Sequence, residues 1–319
     1  MKYALTAIVL WLSCLGFSQI STIRIAPILD EIIFAPYDST RNFLGKDVGQ
    51  YLGQVLYLKG KSEGLRKYGY EGFVVDYRID DLVNYSNVYK GNKIECRYNS
   101  DYNELAGKYF QALSVMKHPK TSSDGYLYGD YYYLELEEQV SKDTLFFKYN
   151  SKYDWSFPFI VVGYFEKQKA ELVGEKFVFC NKLINDVYNI HTGDRITNIP
   201  YQEWTCTDFT VEERYFTLGL VVENPLGESI HVSVESVMCN DISRRSGYNV
   251  IEFRRYSDEY GDENWKAIVE GIVRIGFTEE MVKMAWGEPT NVNHSSYGDQ
   301  WVYDSQYLYF EGGILRSFN

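Results

Sequence analysis

The sequence predicts an α+β protein: two β-rich modules related by an internal duplication, then a small domain of two helices and a three-stranded antiparallel sheet. Three observations predict it. The chain holds 30 Tyr and 18 Phe in 319 residues, and aromatic side chains suit half-buried strands. Short alternating runs recur before residue 258, which is the strand signature. In 258–319 the apolar period changes from the helical value to two. Hydrophobic residues make up 45% of the chain and only 7 Pro occur, so packed cores are expected and long flexible linkers are not.

The duplication rests on two pairs of segments. Leu52-Gly53-Gln54-Val55-Leu56-Tyr57-Leu58 is similar to Val173-Gly174-Glu175-Lys176-Phe177-Val178-Phe179. Tyr133 to Leu136, a turn at Ser141 to Asp143, and Leu145 to Tyr149 parallel Phe216 to Leu220, a turn at Pro225 to Glu228, and Ile230 to Val234. Each copy reads as a Gly-led strand, a variable middle and a closing hairpin. The boundaries read from this are 1–18, a leader; 19–160 and 161–257, the two modules; and 258–319, the last domain.

In the last domain, Trp265, Ile268, Val269 and Ile272 have helical spacing over Asn264–Arg274, with Gly276 as the stop. Thr278 then reads as an N-cap, with Glu279 and Glu280 in the first turn, where the helix dipole favours negative charge. Val282, Met284, Ala285 and Trp286 continue that helix to Gly287, and Pro289 follows. Gln300–Tyr303, Tyr307–Phe310 and Ile314–Phe318 read as strands, the last two joined by a Gly312-Gly313 turn. Alternation separates Trp301 and Tyr303 from Val302, and Tyr307 and Tyr309 from Leu308 and Phe310. Two short helices cover one side of a sheet, so Trp301, Tyr303, Tyr307 and Tyr309 are the expected partner-binding residues on the other.

The order Gly276-Phe277-Thr278-x-x-x-Val282, Trp286-Gly287-x-Pro289, Gln300-Trp301-Val302-Tyr303 and Tyr309-Phe310-Glu311-x-Gly313 resembles the SmpA/OmlA family of outer-membrane assembly lipoproteins. That fold is shared with the β-lactamase-inhibitor-protein (BLIP) modules. The resemblance covers about the last fifth of the chain and implies a protein-binding module rather than a catalyst. It does not carry over a role in barrel assembly, because the module stands at the far end of a long chain.

Lys2, the uncharged apolar run Ala4–Leu15 and the small residues Gly16 and Ser18 read as a secretory signal peptide ending before Gln19. Export to the periplasm or outside the cell is expected. Trp11-Leu12-Ser13-Cys14 has Trp where a lipobox has Leu, so lipid anchoring at Cys14 is the lesser reading. No later run is long enough to span a bilayer. The net charge of −12 argues against nucleic acid as a partner. In an oxidising compartment Cys180 and Cys206, both in the second module, are the expected disulfide pair, with Cys96 and Cys239 as competitors.

No chemistry-bearing pattern stands out. Gly-x-Ser-x-Gly, phosphate-binding glycine loops and zinc spacings are missing from the sequence, so no cofactor or metal is expected. Cys206 with His191 or His231 would be a nucleophile–base couple, but a Cys beside Trp204 reads as packed. Asp80-Asp81, Glu137-Glu138 and Glu212-Glu213 are adjacent pairs that point apart. Asp258-Glu259-x-Gly261-Asp262-Glu263 lacks a calcium-loop pattern and reads as a solvated linker with helix-start charge. The expectation is a non-catalytic exported binding or scaffold protein whose partner is another envelope protein. A secreted enzyme inhibitor is the alternative, and a glycan hydrolase with a deep polar cleft between the modules is the lesser one.

Overall fold

A computed structural model describes residues 22–23, 37, 39–79, 85–91, 98–180, 187–196 and 199–319. Residues 1–18 with Cys14, and Gln19, Asp80-Asp81 and Cys96, lie outside the described residues, so the expected leader and its cleavage point do too. The protein is α+β, and among the described residues its three sheets are antiparallel throughout. No helix among the described residues is long and apolar enough to cross a membrane.

A two-residue strand β1 (Thr22–Ile23) comes first. The first module contains β2 (Val55–Leu58), α1 (Glu63–Arg66), β3 (Phe73–Val74), α2 (Tyr102–Leu105) and β4 (Tyr109–Lys117). It continues through α3 (Gly125–Tyr128), β5 (Tyr131–Glu138), β6 (Thr144–Asn150), β7 (Phe159–Val161) and α4 (Val162–Leu172). Its strands lie in the order β3-β6-β5-β4-β2-β7. The second module contains β8 (Lys176–Phe179), β9 (Glu203–Glu212), β10 (Thr217–Glu223), β11 (Ser229–Ser233), α5 (Glu235–Met238), β12 (Gly247–Asn249) and α6 (Val250–Tyr260). Its order is β11-β10-β9-β8-β12, and β1 pairs with the end of β9.

The two orders correspond strand for strand once β3 and β1 are set aside: β6-β5-β4-β2-β7 against β11-β10-β9-β8-β12. The agreement extends to single residues. Gly53 and Gly174 both take left-handed φ, 75° and 94°. Their N–H groups donate to the carbonyls of Ala112 and Cys206, each at 2.8 Å. One residue further along β4 and β9, the ladder to β5 and β10 slips, leaving Leu113 and Thr207 as equivalent bulges. Val161 and Asn249, each opposite the second residue of the leading strand, both cap the helix that follows. The repeating unit therefore closes with a helix. Its ends are Leu172 and Tyr260, against the 160 and 257 read from the sequence.

The closing hairpins share their turn chemistry. Glu138, 1% exposed, accepts from the backbone N–H groups of Val140 (3.0 Å) and Ser141 (2.7 Å). The side-chain oxygen of Asn224, 3% exposed, accepts from Leu226 and Glu228, both at 3.0 Å. Lys142 and Gly227 supply the left-handed residue, with φ 61° and 80°. Burial works to raise the Glu138 carboxyl, but hydrogen bonds from Ser141 and Val140 and the charge of Lys108 hold it below the ordinary range. A carboxyl depressed by folding contributes stability above its unfolded pKa, and that contribution is lost as pH falls through the folded value. Glu138→Gln is therefore expected to lose stability at neutral pH and to flatten the decline below about pH 4. Urea unfolding across the acid range checks this; an unchanged acid limb contradicts it.

The units stack like links of a short repeat protein. Strand β2 is buried on both faces: Leu56 and Leu58 enter the first module's core, while Val55 and Tyr57 enter the core of the second, with Ile160 of β7. Phe177 and Phe179 face back into that second core. Tyr248, the counterpart of Ile160, enters a third core shared with the last domain. Tyr is usable in these cores because its hydroxyl finds a backbone carbonyl: Tyr70 donates to Lys59 at 2.6 Å and Tyr149 to Gly45 at 2.8 Å.

The last domain follows the sequence expectation with one addition and two corrections. Helices α7 (Asp262–Val269) and α8 (Glu279–Trp286) precede β13 (Asn291–Ser295), β14 (Gly298–Tyr303), β15 (Gln306–Glu311) and β16 (Ile314–Phe318). The three expected strands are joined by a fourth, β13, which pairs with β14. Thr278 caps α8 by accepting from Met281 N–H at 3.2 Å, and Gly312-Gly313 turns with φ 58° and 75°. Helix α7 ends earlier than the expected Arg274. Gly271 adopts φ 70°, its N–H bonds Ile268 and that of Ile272 bonds Ala267, a Schellman closure. The acidic cluster is no linker: Asp258 and Glu259 end α6, Gly261 makes the corner, and Asp262 and Glu263 open α7.

Candidate binding surfaces

Cross-strand register decides which side of the last sheet each aromatic takes. Trp301 stands opposite Leu308, Val302 opposite Tyr307, and Gln300 opposite Tyr309. Opposed residues share a face, so the four aromatics expected together divide two and two. Trp301 is 3% exposed and packs on Phe310 at 4.6 Å between ring centres. The Tyr303 hydroxyl donates to the Gly287 carbonyl at 2.8 Å, and its ring meets Trp286 edge-on at 5.4 Å. Both belong under the helices.

Tyr307 and Tyr309 stay on the open side, 39% and 37% exposed. They share it with a row of amides. Asn291 donates to Asn293, Asn293 to Gln300, both at 2.9 Å, and Gln300 to the Tyr309 hydroxyl at 3.0 Å. Ser317 lies beside Tyr309 on β16. Tyr, Asn, Gln and Ser held in fixed register make a rigid, adaptable hydrogen-bonding surface. It is polar and aromatic, not the apolar patch that alternation alone implies.

A second concavity of about 550 Å³ lies in the first module alone rather than between the two modules. Its floor is the outer face of β5 and β6, with Tyr131, Tyr133, Lys148 and Asn150. The segment joining β2 to β4 supplies Lys61, Tyr70 and Tyr98, and Trp155 stands at the rim, 79% exposed and stacked on Tyr153 at 5.5 Å. Among the described lining residues Glu71 is the sole carboxylate. Sequence reasoning passed over these residues. Their signal was the unequal spacing between the repeats' leading strands and their long partners: 59–108 in one copy, 180–202 in the other.

The cysteines do not make the expected bridge. Cys180 enters the third core and its thiol donates to the Ser246 carbonyl at 3.2 Å. Cys206 enters the second core, donates to Asp208 at 3.3 Å, and occupies the place that Ala112 holds in the first unit. Burial raises the Cys206 thiol to about 12, which removes the thiolate a nucleophile needs. His231 stands on the opposite face of the sheet, because Val222 pairs with Cys206 and Ile230 while Val221 pairs with His231. Burial also lowers its pKa. No Cys206–His231 couple is formed.

No protein-family profile matches the chain, and comparison with curated proteins and with solved structures returned no match.

Proposed function

We propose that this chain is a non-catalytic exported protein of the cell envelope that works by binding another protein through the open face of its last sheet. One observation carries this reading: Tyr309, held by a hydrogen-bonded amide row, and Tyr307 stand exposed on one face of a sheet whose other face is sealed. Rigid aromatic residues make contact area at small entropic cost. The likeness of residues 276–313 to the SmpA/OmlA pattern, and the leader-like first eighteen residues, support the same role and place. Glycan hydrolysis is the weaker reading, since it needs two facing carboxylates and the cleft presents Glu71 alone among its described lining.

A photo-crosslinking residue placed at position 307 in cells is expected to capture a discrete protein, while the same residue at buried position 301 or half-buried position 303, on the helix side, captures none. Capture at 303 but not 307 would reverse the assignment of faces. Absence of any adduct from 307 would remove the proposal.

A further inference from the structure

The outermost strands of the three sheets are covered, short or blunted, β13 apart. On β16, Gly276 N–H donates to the Leu315 carbonyl at 2.9 Å and Leu315 N–H to Phe277 at 2.8 Å, and the charged Arg316 is a bulge. On β3, Tyr89 N–H reaches Phe73 at 3.1 Å. The Asn42 side chain closes β7, donating to the Phe159 carbonyl and accepting from Val161 N–H, each at 2.8 Å. Strand β11 takes a bond from Ile190 at Ser229, and none of its side chains is exposed. Strand β12 is three residues long. Strand β13 has five residues, pairs with β14 without a break, and contains neither Lys nor Pro. Asn291, Asn293, His294 and Ser295 are exposed on it. Among the described residues no backbone group bonds its outer side. An edge with none of the usual protections is a template for another strand.

The side chains of β13 match a copy of themselves. Run antiparallel with Asn293 on a two-fold axis, Asn293 faces the second copy's Asn293, Asn291 its Ser295, and Val292 its His294. All five residues pair, and no carboxylate or ammonium stands opposite its like. That matters for a chain of net charge −12, whose copies repel one another in general. The register also extends the amide row. Asn293 gives one N–H to Gln300 at 2.9 Å, and an amide has a second to give the copy's Asn293. Tyr297, in the turn between β13 and β14, is 92% exposed. In this register that turn comes beside the second copy's Pro289, which gives the ring apolar surface to cover.

We infer that two copies of this chain join through their β13 edges, antiparallel about Asn293, so that their last sheets become one continuous sheet. A second copy is favoured over a strand of a different protein because the same five residues supply both sides of the match. The contact leaves Tyr307 and Tyr309 uncovered and sets two such pairs on one surface, whatever they bind. Five paired residues and a tyrosine bury less than a standard interface, so association in the micromolar range is expected.

The test is sedimentation equilibrium of the full chain across that range, with Asn293→Lys, Asn293→Cys and Asn291→Cys beside wild type. Wild type is expected to pass from monomer to dimer as concentration rises. Asn293→Lys sets two ammonium groups across the axis and is expected to weaken the dimer about tenfold. Its melting is expected to match wild type, since position 293 is exposed. Under oxidation Asn293→Cys is expected to form a covalent dimer above the level of wild type, whose own cysteines set the blank. The two copies of residue 291 would stand roughly 13 Å apart along the strands, beyond disulfide reach, so Asn291→Cys is expected to stay at the blank. A monomer at every concentration overturns the inference and leaves the edge to a strand of another protein. So does a dimer untouched by Asn293→Lys, or a covalent dimer from Asn291→Cys in place of Asn293→Cys.

Discussion

Trp301→Ala is expected to destabilise the chain by about 3–5 kcal/mol, the cost typical of removing a buried indole. The residue is 3% exposed, stacks on Phe310, and has Lys283 above its ring at 5.4 Å. Its neighbours Leu308 and Leu315 are fully buried and belong to the core that also holds Trp265 and Tyr248. Loss at this point therefore reaches the junction with the second module. Tyr307→Ala on the opposite face is expected to cost less than about 1 kcal/mol, as half-exposed positions usually do. Urea unfolding of both variants measures the contrast. Equal effects would mean that the open face is covered in the folded chain.

Gly69→Ala is the second large effect, and it is local. Gly69 sits at φ 59°, and a Cβ there would stand 2.0 Å from the Ser100 carbonyl oxygen. That oxygen receives the Tyr70 N–H at 2.9 Å and Ser100 returns a bond at 2.8 Å, a bridge that ties the long connection together. A left-handed alanine costs roughly 1–2 kcal/mol and overpacking adds about 1–3 more. The expected outcome is faster hydrogen exchange across 59–108 with β8 to β12 still protected. Slowed or unchanged exchange in the connection contradicts the account, as does uniform loss of protection.

The sequence disclosed most where local chemistry was decisive. Thr278, Gly287 and the Gly312-Gly313 pair speak for themselves, because caps and turns are chosen by a few neighbouring residues. The Gly-led strands also aligned correctly, Gly53 with Gly174. In the closing hairpins the second strands align in register, Leu145 with Ile230, but the first strands align two residues out: the structure sets Leu136 opposite Ala112 and Val222 opposite Cys206, making Val222, not Leu220, the counterpart. A slip of two keeps every side chain on its own face, so the apolar pattern does not oppose it. Helix α6 was hidden by its charged residues. Its apolar positions, Val250, Phe253, Tyr256 and Tyr260, nonetheless have helical spacing under an Asn249 cap that accepts from Ile251.

The sites were less legible because they depend on pairing between strands. Alternation within β14 and β15 identified two faces for each, but only the register of Trp301 with Leu308 states which faces join. The cysteines show the same limit: Cys180 and Cys206 are close in the chain order of one module yet belong to different cores. The cleft was hardest to foresee, since β5, β6, the long connection and the Trp155 rim converge on it from distant parts of one module.

The most direct test of the proposed role is the affinity of the chain for the protein captured through position 307. It is measured for wild type and for Tyr307→Ala/Tyr309→Ala, with thermal melting on the same samples. The account predicts melting within a few degrees of wild type and affinity reduced at least tenfold, as expected for removing two aromatic anchors. Unchanged affinity in a fully folded double variant would contradict it.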